Sequence, residues 1–259
     1  MSDVLLTEKL DGHIAKLTVN RPDKMNALNG EVRCAILGAL DRLAKDDDVR
    51  VVVLTGAGEK AFIAGADIGE FKDARPVEQY RSMQEGNIYL AVEQFPKPVI
   101  AMINGYCLGG GCELSMACDM RVAATTAKLG QPEINLGLIP GGGGSQRLPR
   151  LVGEGWAMRL IMSGEMISGE KAAEIGLVEM AVPPEELESH TMELAKNIGS
   201  RSPIALQAAK ETILAARRMP LDEGLKFERG WFSLLFSTDD MAEGVGAFLE
   251  KRKAEFKGS

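Results

Sequence analysis

Val99-Ile-Ala-Met-Ile-Asn-Gly-Tyr-Cys-Leu-Gly-Gly-Gly-Cys-Glu-Leu-Ser115 joins an unbroken apolar run to a glycine triplet and then to a helical pattern. An apolar run without alternation reads as a strand covered on both faces, as in parallel sheets. The glycines let the backbone approach a neighbour or a ligand closely. The helix that follows opens with N–H groups that have no partner within it. One stretch therefore predicts a strand, a tight connection and a helix start, in that order.

The same alternation extends outward. Strand-like runs occupy 4–7, 14–19, 51–55 and 99–103, with shorter ones near 120–123 and 177–182. Helical patterns fall at 30–45, 77–94 and 110–117 between them. Strands alternating with helices predict an α/β fold with parallel strands and crossover helices. From about Gly144 the pattern turns helical, at 155–162, 168–175, 184–198, 204–217, 221–236 and 239–248. The expected organisation is an α/β core over 1–198 and a helical region over 199–259 that serves oligomerisation.

Composition narrows the function classes. A chain of 259 residues that is 45% hydrophobic can bury one large core. Its net charge of −7 disfavours nucleic acid over most of the surface. The exception is Lys251-Arg-Lys253, continued by Lys257, which reads as a solvated helix face or as a phosphate contact. Cys34, Cys107, Cys112 and Cys118 match no metal spacing and no disulfide framework, and are expected reduced. No secretory leader and no membrane-length apolar run is evident, so the expectation is a cytoplasmic protein with no membrane partner.

Three segments carry candidate chemistry. Glu113 follows the glycine triplet in the first helical turn, either as compensation for the helix dipole or as a working carboxylate beside an anion-stabilising helix start. Glu133, in Gly130-Gln-Pro-Glu-Ile-Asn-Leu-Gly137, is fixed by Pro132, as a surface acid or as a second working carboxylate. Lys60-Ala-Phe-Ile-Ala-Gly-Ala-Asp-Ile68 reads as a small-residue connection capped by Asp67, or as the source of an exposed N–H at Ala66. His13 and His190 sit in no triad context, and Thr55-Gly-Ala-Gly58 lacks the wider dinucleotide fingerprint.

Taken together, Asn104–Leu114, Gly130–Gly137 and Pro140-Gly-Gly-Gly-Gly-Ser-Gln-Arg147 resemble the crotonase (enoyl-CoA hydratase/isomerase) superfamily. Arg21-Pro-Asp-Lys-Met-Asn-Ala-Leu-Asn29, Ala64–Ile68 and Ala247-Phe-Leu-Glu-Lys-Arg252 also match, so the resemblance covers nearly the whole chain. It implies a spiral of ββα units followed by a helical trimerisation region, and a homotrimer or a hexamer built as a dimer of trimers. It also implies an acyl-CoA substrate whose thioester oxygen lies between the N–H groups of Ala66 and Gly110. By the same likeness Glu113 and Glu133 hold a water and add it across a 2,3-double bond, or remove it from a 3-hydroxyacyl-CoA. No cofactor or metal is implied, coenzyme A being part of the substrate.

The resemblance further places Lys24, Asn26, Ala27, Leu28, Ala64, Gly65, Asp67 and Ile68 along the substrate, with Gly109, Pro132 and Gly141 nearer the acyl group. Phe248 and Lys251 match a C-terminal pair that reaches the CoA of a neighbouring subunit. Many hydratases carry lysine directly after Ala-Asp-Ile; Gly69 stands there here, and Lys24 or Lys72 is the candidate substitute. The acyl pocket is expected after Gly69 and along 134–142, with Glu78, Gln84 and Tyr89 as solvated helix positions. Trp156 and Trp231 are expected in the core or at subunit contacts. A Δ3,Δ2-enoyl-CoA isomerase is the alternative within the superfamily, although two carboxylates favour hydration. An RNA-binding relative is the distant alternative, disfavoured by the acidic balance.

Overall fold

The computed structural model describes residues 4–72 and 75–259. Six strands, β1 (Leu5–Leu10), β2 (Ile14–Val19), β3 (Val51–Gly56), β5 (Val99–Ile103), β7 (Met120–Ala124) and β10 (Met180–Val182), form one sheet in the order β1-β2-β3-β5-β7-β10. β1 and β2 are an antiparallel hairpin; every later neighbour is parallel. β3 and β5 are buried along their whole length, as their unbroken apolar runs require.

A second sheet, ordered β4-β6-β8-β9, is made of β4 (Ala61–Ile63), β6 (Tyr106–Leu108), β8 (Lys128–Gly130) and β9 (Met166–Ser168). β4, β6 and β8 pair in parallel, and β9 closes the sheet antiparallel to β8. The chain thus repeats one unit: a strand in the large sheet, a strand in the small sheet, then helix. β2 leads to α1 (Gly30–Ala44); β3 and β4 lead to α2 (Pro76–Gln84) and α3 (Ile88–Glu93); β5 and β6 lead to α4 (Gly110–Ala117); β7 and β8 lead to α5 (Gly144–Ser163), and β9 leads to α6 (Gly169–Glu174). Every residue of α4 is buried, which makes it the central helix.

Three expectations need correction. The helical pattern at 77–94 is two helices, because Gly86 takes a positive φ of 69° and Asn87 caps a new start through its bond to the Leu90 N–H. The helix expected at 155–162 begins at Gly144 and breaks at Gly153, where φ is 79° and ψ 162°. None of the four small-sheet strands was read as such; each is three residues long, too short to show a period.

The helical region after residue 198 is bound to the core at several points. α7 (Leu187–Gly199) packs beneath the large sheet, followed by α8 (Pro203–Ala215), α9 (Leu221–Leu235) and α10 (Asp239–Glu250). Lys210 of α8 meets Asp119 at 2.8 Å, and Asp119 in turn accepts the Val99 N–H at 2.7 Å. Arg50 donates to the carbonyls of Gly199 at 3.2 Å and Phe256 at 2.7 Å. α9 carries no buried residue.

A methyl group on Gly111 would collide with the carbonyl oxygen of Ile63, so α4 lies directly against β4. Gly111→Ala is expected to cost about 1–3 kcal/mol of unfolding free energy through overpacking, read from the urea midpoint. An unchanged midpoint would mean that α4 can move off the small sheet without cost.

Candidate active site

The three parallel strands of the small sheet end side by side, and each hands the chain to one candidate segment. β4 runs into Ala64–Ile68, β6 into Gly109 and Gly110, and β8 into Gln131, Pro132 and Glu133. Ligands of open α/β sheets commonly bind beyond such carboxyl ends. Here a cleft of about 530 Å³ opens at that place.

Leu28 forms a parallel bridge with Ala66: its N–H donates to the Gly65 carbonyl at 2.9 Å, and the Asp67 N–H donates to its carbonyl at 2.8 Å. That pairing uses the groups on either side of Ala66 and leaves the Ala66 N–H outside the bridge, and Ala66 lines the cleft. Gly110 is the first residue of α4, and its N–H has no partner inside the helix. A methyl group on Gly110 would lie 3.5 Å from Ala66 N and 3.0 Å from the Tyr89 hydroxyl. The two N–H groups therefore belong to one wall. Gly109 turns the chain there with a φ of 48°, and a methyl on it would come 2.8 Å from a Glu133 carboxylate oxygen.

Glu113 is 3% exposed and accepts the Gly144 N–H at 2.7 Å. Burial pushes its carboxyl above the usual value, opposed by the N–H groups of Gly144, Gly142 and Gly143 and by the charge of Arg147. Glu133 begins the 3-10 helix Pro132–Leu136 and receives less support. Burial, reinforced by the negative charge of Glu113, pushes its carboxyl up to about 7. Gln131, fully buried, is oriented by its surroundings so that its amide N–H donates to both Glu133 oxygens at 3.1 and 3.2 Å. That donation favours the Glu133 anion and works against burial and the Glu113 charge, which raise the carboxyl.

Ala64, Gly65, Ala66, Ile68, Gly109, Gly110, Glu113, Pro132, Glu133 and Gly141 all line the cleft. Other expected substrate residues stand outside its lining. Asn26 is fully buried, with its side chain donating to the Ala57 and Ala61 carbonyls at 3.0 and 2.8 Å. Its side chain therefore braces the loops, and its backbone N–H is taken by the Arg21 carbonyl at 2.9 Å. Asp67 pairs with Arg21 at 3.1 Å and caps the short helix Ile68–Phe71. Leu28 is a core residue behind Ala66, while Lys24 and Ala27 flank the same loop. Phe248, 82% exposed, and Lys251, at the left-handed end of α10, lie on the C-terminal surface of the chain.

Tyr89 corrects an expectation. It is 9% exposed, not solvated, and lines the cleft, while Glu78 and Gln84 are exposed as expected. Continuing one helix through Gly86 puts Tyr89 on the wrong face; the new start at Asn87 turns it inward against Gly142. Burial and the charge of Glu113 raise its phenol well above the usual range, so it stays a neutral donor. The signal was the Gly86-Asn87 pair, a helix stop followed by an N-cap.

Among the described residues no group of three or more His, Cys, Asp or Glu side chains is placed to hold a metal ion, and no helix is long and apolar enough to cross a membrane.

A carboxyl whose pKa is higher in the folded state favours folding when protonated and opposes it once ionised. For Glu133 this penalty grows as pH rises from the ordinary value of 4.5 to about 7. Glu133→Gln is therefore expected to melt at a higher temperature than the wild type at pH 8, with the gain vanishing near pH 4. Equal melting temperatures at pH 8 would place Glu133 in water rather than in a dry cleft.

Comparison with known proteins agrees with this arrangement. The family model described as enoyl-CoA hydratase/isomerase matches residues 9–259. A short-chain-enoyl-CoA hydratase of Clostridium acetobutylicum is 42% identical over 98% of this chain and 97% of its own length. A crotonyl-CoA hydratase of Syntrophomonas wolfei is 43% identical over 94% of each chain. The crystal structure of an enoyl-CoA hydratase from Bacillus anthracis superposes with a TM-score of 0.94 at 43% identity, covering 99% of this chain and 100% of that one. With two sheets in a ββα spiral and a glutamate after each of two neighbouring small-sheet strands, the chain belongs to the enoyl-CoA hydratase/isomerase family, the crotonase superfamily.

Proposed function

We infer that the protein is an enoyl-CoA hydratase, adding water across the 2,3-double bond of a short-chain trans-2-enoyl-CoA to give the 3-hydroxyacyl-CoA, and running in reverse as a dehydratase. The observation that carries this reading is the convergence of two carboxylates, Glu113 buried and Glu133 half-buried, on the cleft wall that Ala66 and Gly110 also form. Relatives called short-chain-enoyl-CoA and crotonyl-CoA hydratase support the acyl class.

The chemistry follows from where charge must go. When water oxygen bonds to C3, the electron pair of the double bond moves toward the thioester oxygen. Two fixed N–H donors in a dry site stabilise that enolate without reorganising, and losing one such donor costs roughly 3–4 kcal/mol in comparable sites. Glu113, supported as an anion by the glycine N–H groups, takes the proton from water. Glu133, holding the shared proton, delivers it to C2. Dehydration uses the same pair with the proton on Glu113, so both directions need one proton between the two carboxylates. The reaction needs no cofactor beyond the CoA of the substrate.

Ile68, Phe71, Met83, Leu136, Leu138 and Ile139 give the cleft an apolar wall suited to a hydrocarbon chain. Lys24, Ala27, Leu28, Asp67 and the backbone of Asn26 lie along the route we assign to CoA. Residues 199–259 form the oligomerisation region in this reading. Phe232, Leu234 and Phe236 at and just beyond the end of α9, with Phe248 and Leu249 of α10, expose more apolar surface than a monomer usually leaves in water. A homotrimer or hexamer covers that surface and lets Phe248 and Lys251 reach a neighbour's CoA. Free cysteines at all four positions fit a reducing compartment, and we place the enzyme in the cytoplasm.

Loss of the conjugated enoyl-thioester absorbance of crotonyl-CoA tests the reading. Glu113→Gln and Glu133→Gln are each expected to lower kcat by about 10²–10⁴-fold, with butyryl-CoA affinity changed by no more than a few-fold. Near-wild-type turnover in both variants would sink the mechanism. Activity on 3-enoyl thioesters that survives loss of one glutamate would move the assignment to an isomerase.

A further inference from the structure

The loop Gly141–Gly144 has four consecutive glycines, and its N–H groups support Glu113. Such a sequence has no intrinsic preference for one conformation, yet its N–H groups must hold one orientation to meet a carboxylate. Outside the loop, one side chain reaches across it. Arg147, in the first turn of α5, donates through Nη1 to the Gly142 carbonyl at 2.9 Å and passes so close over Gly143 that any side chain there would strike it. The φ of Gly143 is 108°, a left-handed conformation directly before Gly144, whose N–H donates to Glu113 at 2.7 Å.

Arg147 is itself held. Its Nε donates to Glu93 Oε2 at 2.7 Å and its Nη2 meets the same oxygen at 2.5 Å; the two side chains are 15% and 11% exposed. The other Glu93 oxygen accepts from Arg218 at 2.7 Å. Burial alone would raise the Glu93 carboxyl, but the bonds from Arg147 and Arg218 hold it below the usual carboxylate range, so it stays an anion. A half-buried arginine that aims two N–H donors at one carboxylate oxygen is held firmly, and removing one partner of such a pair is costly. Glu93 closes α3, the helix that also carries Tyr89.

We propose that Arg147, clamped by Glu93, is a positioning residue for the reaction: it fixes the glycine loop so that the loop's N–H groups meet Glu113. It stands outside the lining of the cleft and acts through the Gly142 peptide. The proposal rests on Glu113 being the working base, whose failure would show in Glu113→Gln and not in the variants below.

The sign of the effect is determined. Both the oriented N–H groups and the Arg147 charge favour the Glu113 anion. Arg147→Gln removes the charge and loosens the loop, so Glu113 protonates more readily. The acid limb of kcat/KM for crotonyl-CoA should move to higher pH, with kcat about ten- to a hundredfold lower and KM little changed. Arg147→Lys, which keeps the charge but not the fork, should recover part of the pH shift and less of kcat. Arg218→Gln removes the exposed partner of Glu93 without touching the loop and should behave as wild type. A folded Arg147→Gln enzyme with wild-type kcat and an unmoved acid limb would overturn the proposal. If that variant does not fold, Glu93→Gln decides: it leaves the Arg147–carbonyl bond but frees its anchor, and an unmoved acid limb there also overturns it.

Discussion

Parallel pairing of three very short strands is the constraint on which the molecule depends. β4, β6 and β8 each supply three residues to the small sheet, and their register puts Ala66, Gly110 and Glu133 next to one another although the chain separates them widely. Strands so short gain little from their own hydrogen bonds. They stay in place because the large sheet anchors the start of each unit and α4, buried along its whole length, presses on β4. The large sheet acts as the frame and the small sheet as the jig for the chemistry.

Within that frame the electrostatics are arranged by difference. Both carboxyls are at least half-buried, which alone raises each above the usual carboxylate value. Backbone N–H groups favour the anion at Glu113, and the resulting charge then disfavours it at Glu133. One site acquires a base and an acid from two identical side chains. A single structural asymmetry, the glycine loop on one side only, is enough to separate them.

The sequence was legible where structure is periodic or motif-dense. The runs at 14–19 and 99–103 match β2 and β5, and the pattern at 110–117 matches α4, because most positions in each are apolar or small. Ten of the expected site residues lie in the cleft because glycine, proline and glutamate at fixed spacing report backbone geometry directly. What could not be read was tertiary. The small-sheet strands are shorter than any period, and the inward turn of Tyr89 depends on a helix break at Gly86. The Glu93–Arg147 pair joins residues whose separation along the chain gives no hint of contact. Residues expected along the CoA, such as Asn26, have side chains occupied in bracing their own loops, a tertiary role that the sequence does not display.

The oxyanion donors we propose are peptide N–H groups, while the apolar wall comes from side chains such as Met83 of α2 and those of the 134–139 segment. These two parts of the site are therefore under separate genetic control. Substitution of Met83, Leu138 or Ile139 can reshape the space offered to an acyl group without altering either donor, because no codon change at those positions alters a peptide bond at Ala66 or Gly110. A scaffold of this kind can acquire new acyl preferences by point mutation while its catalytic core drifts little.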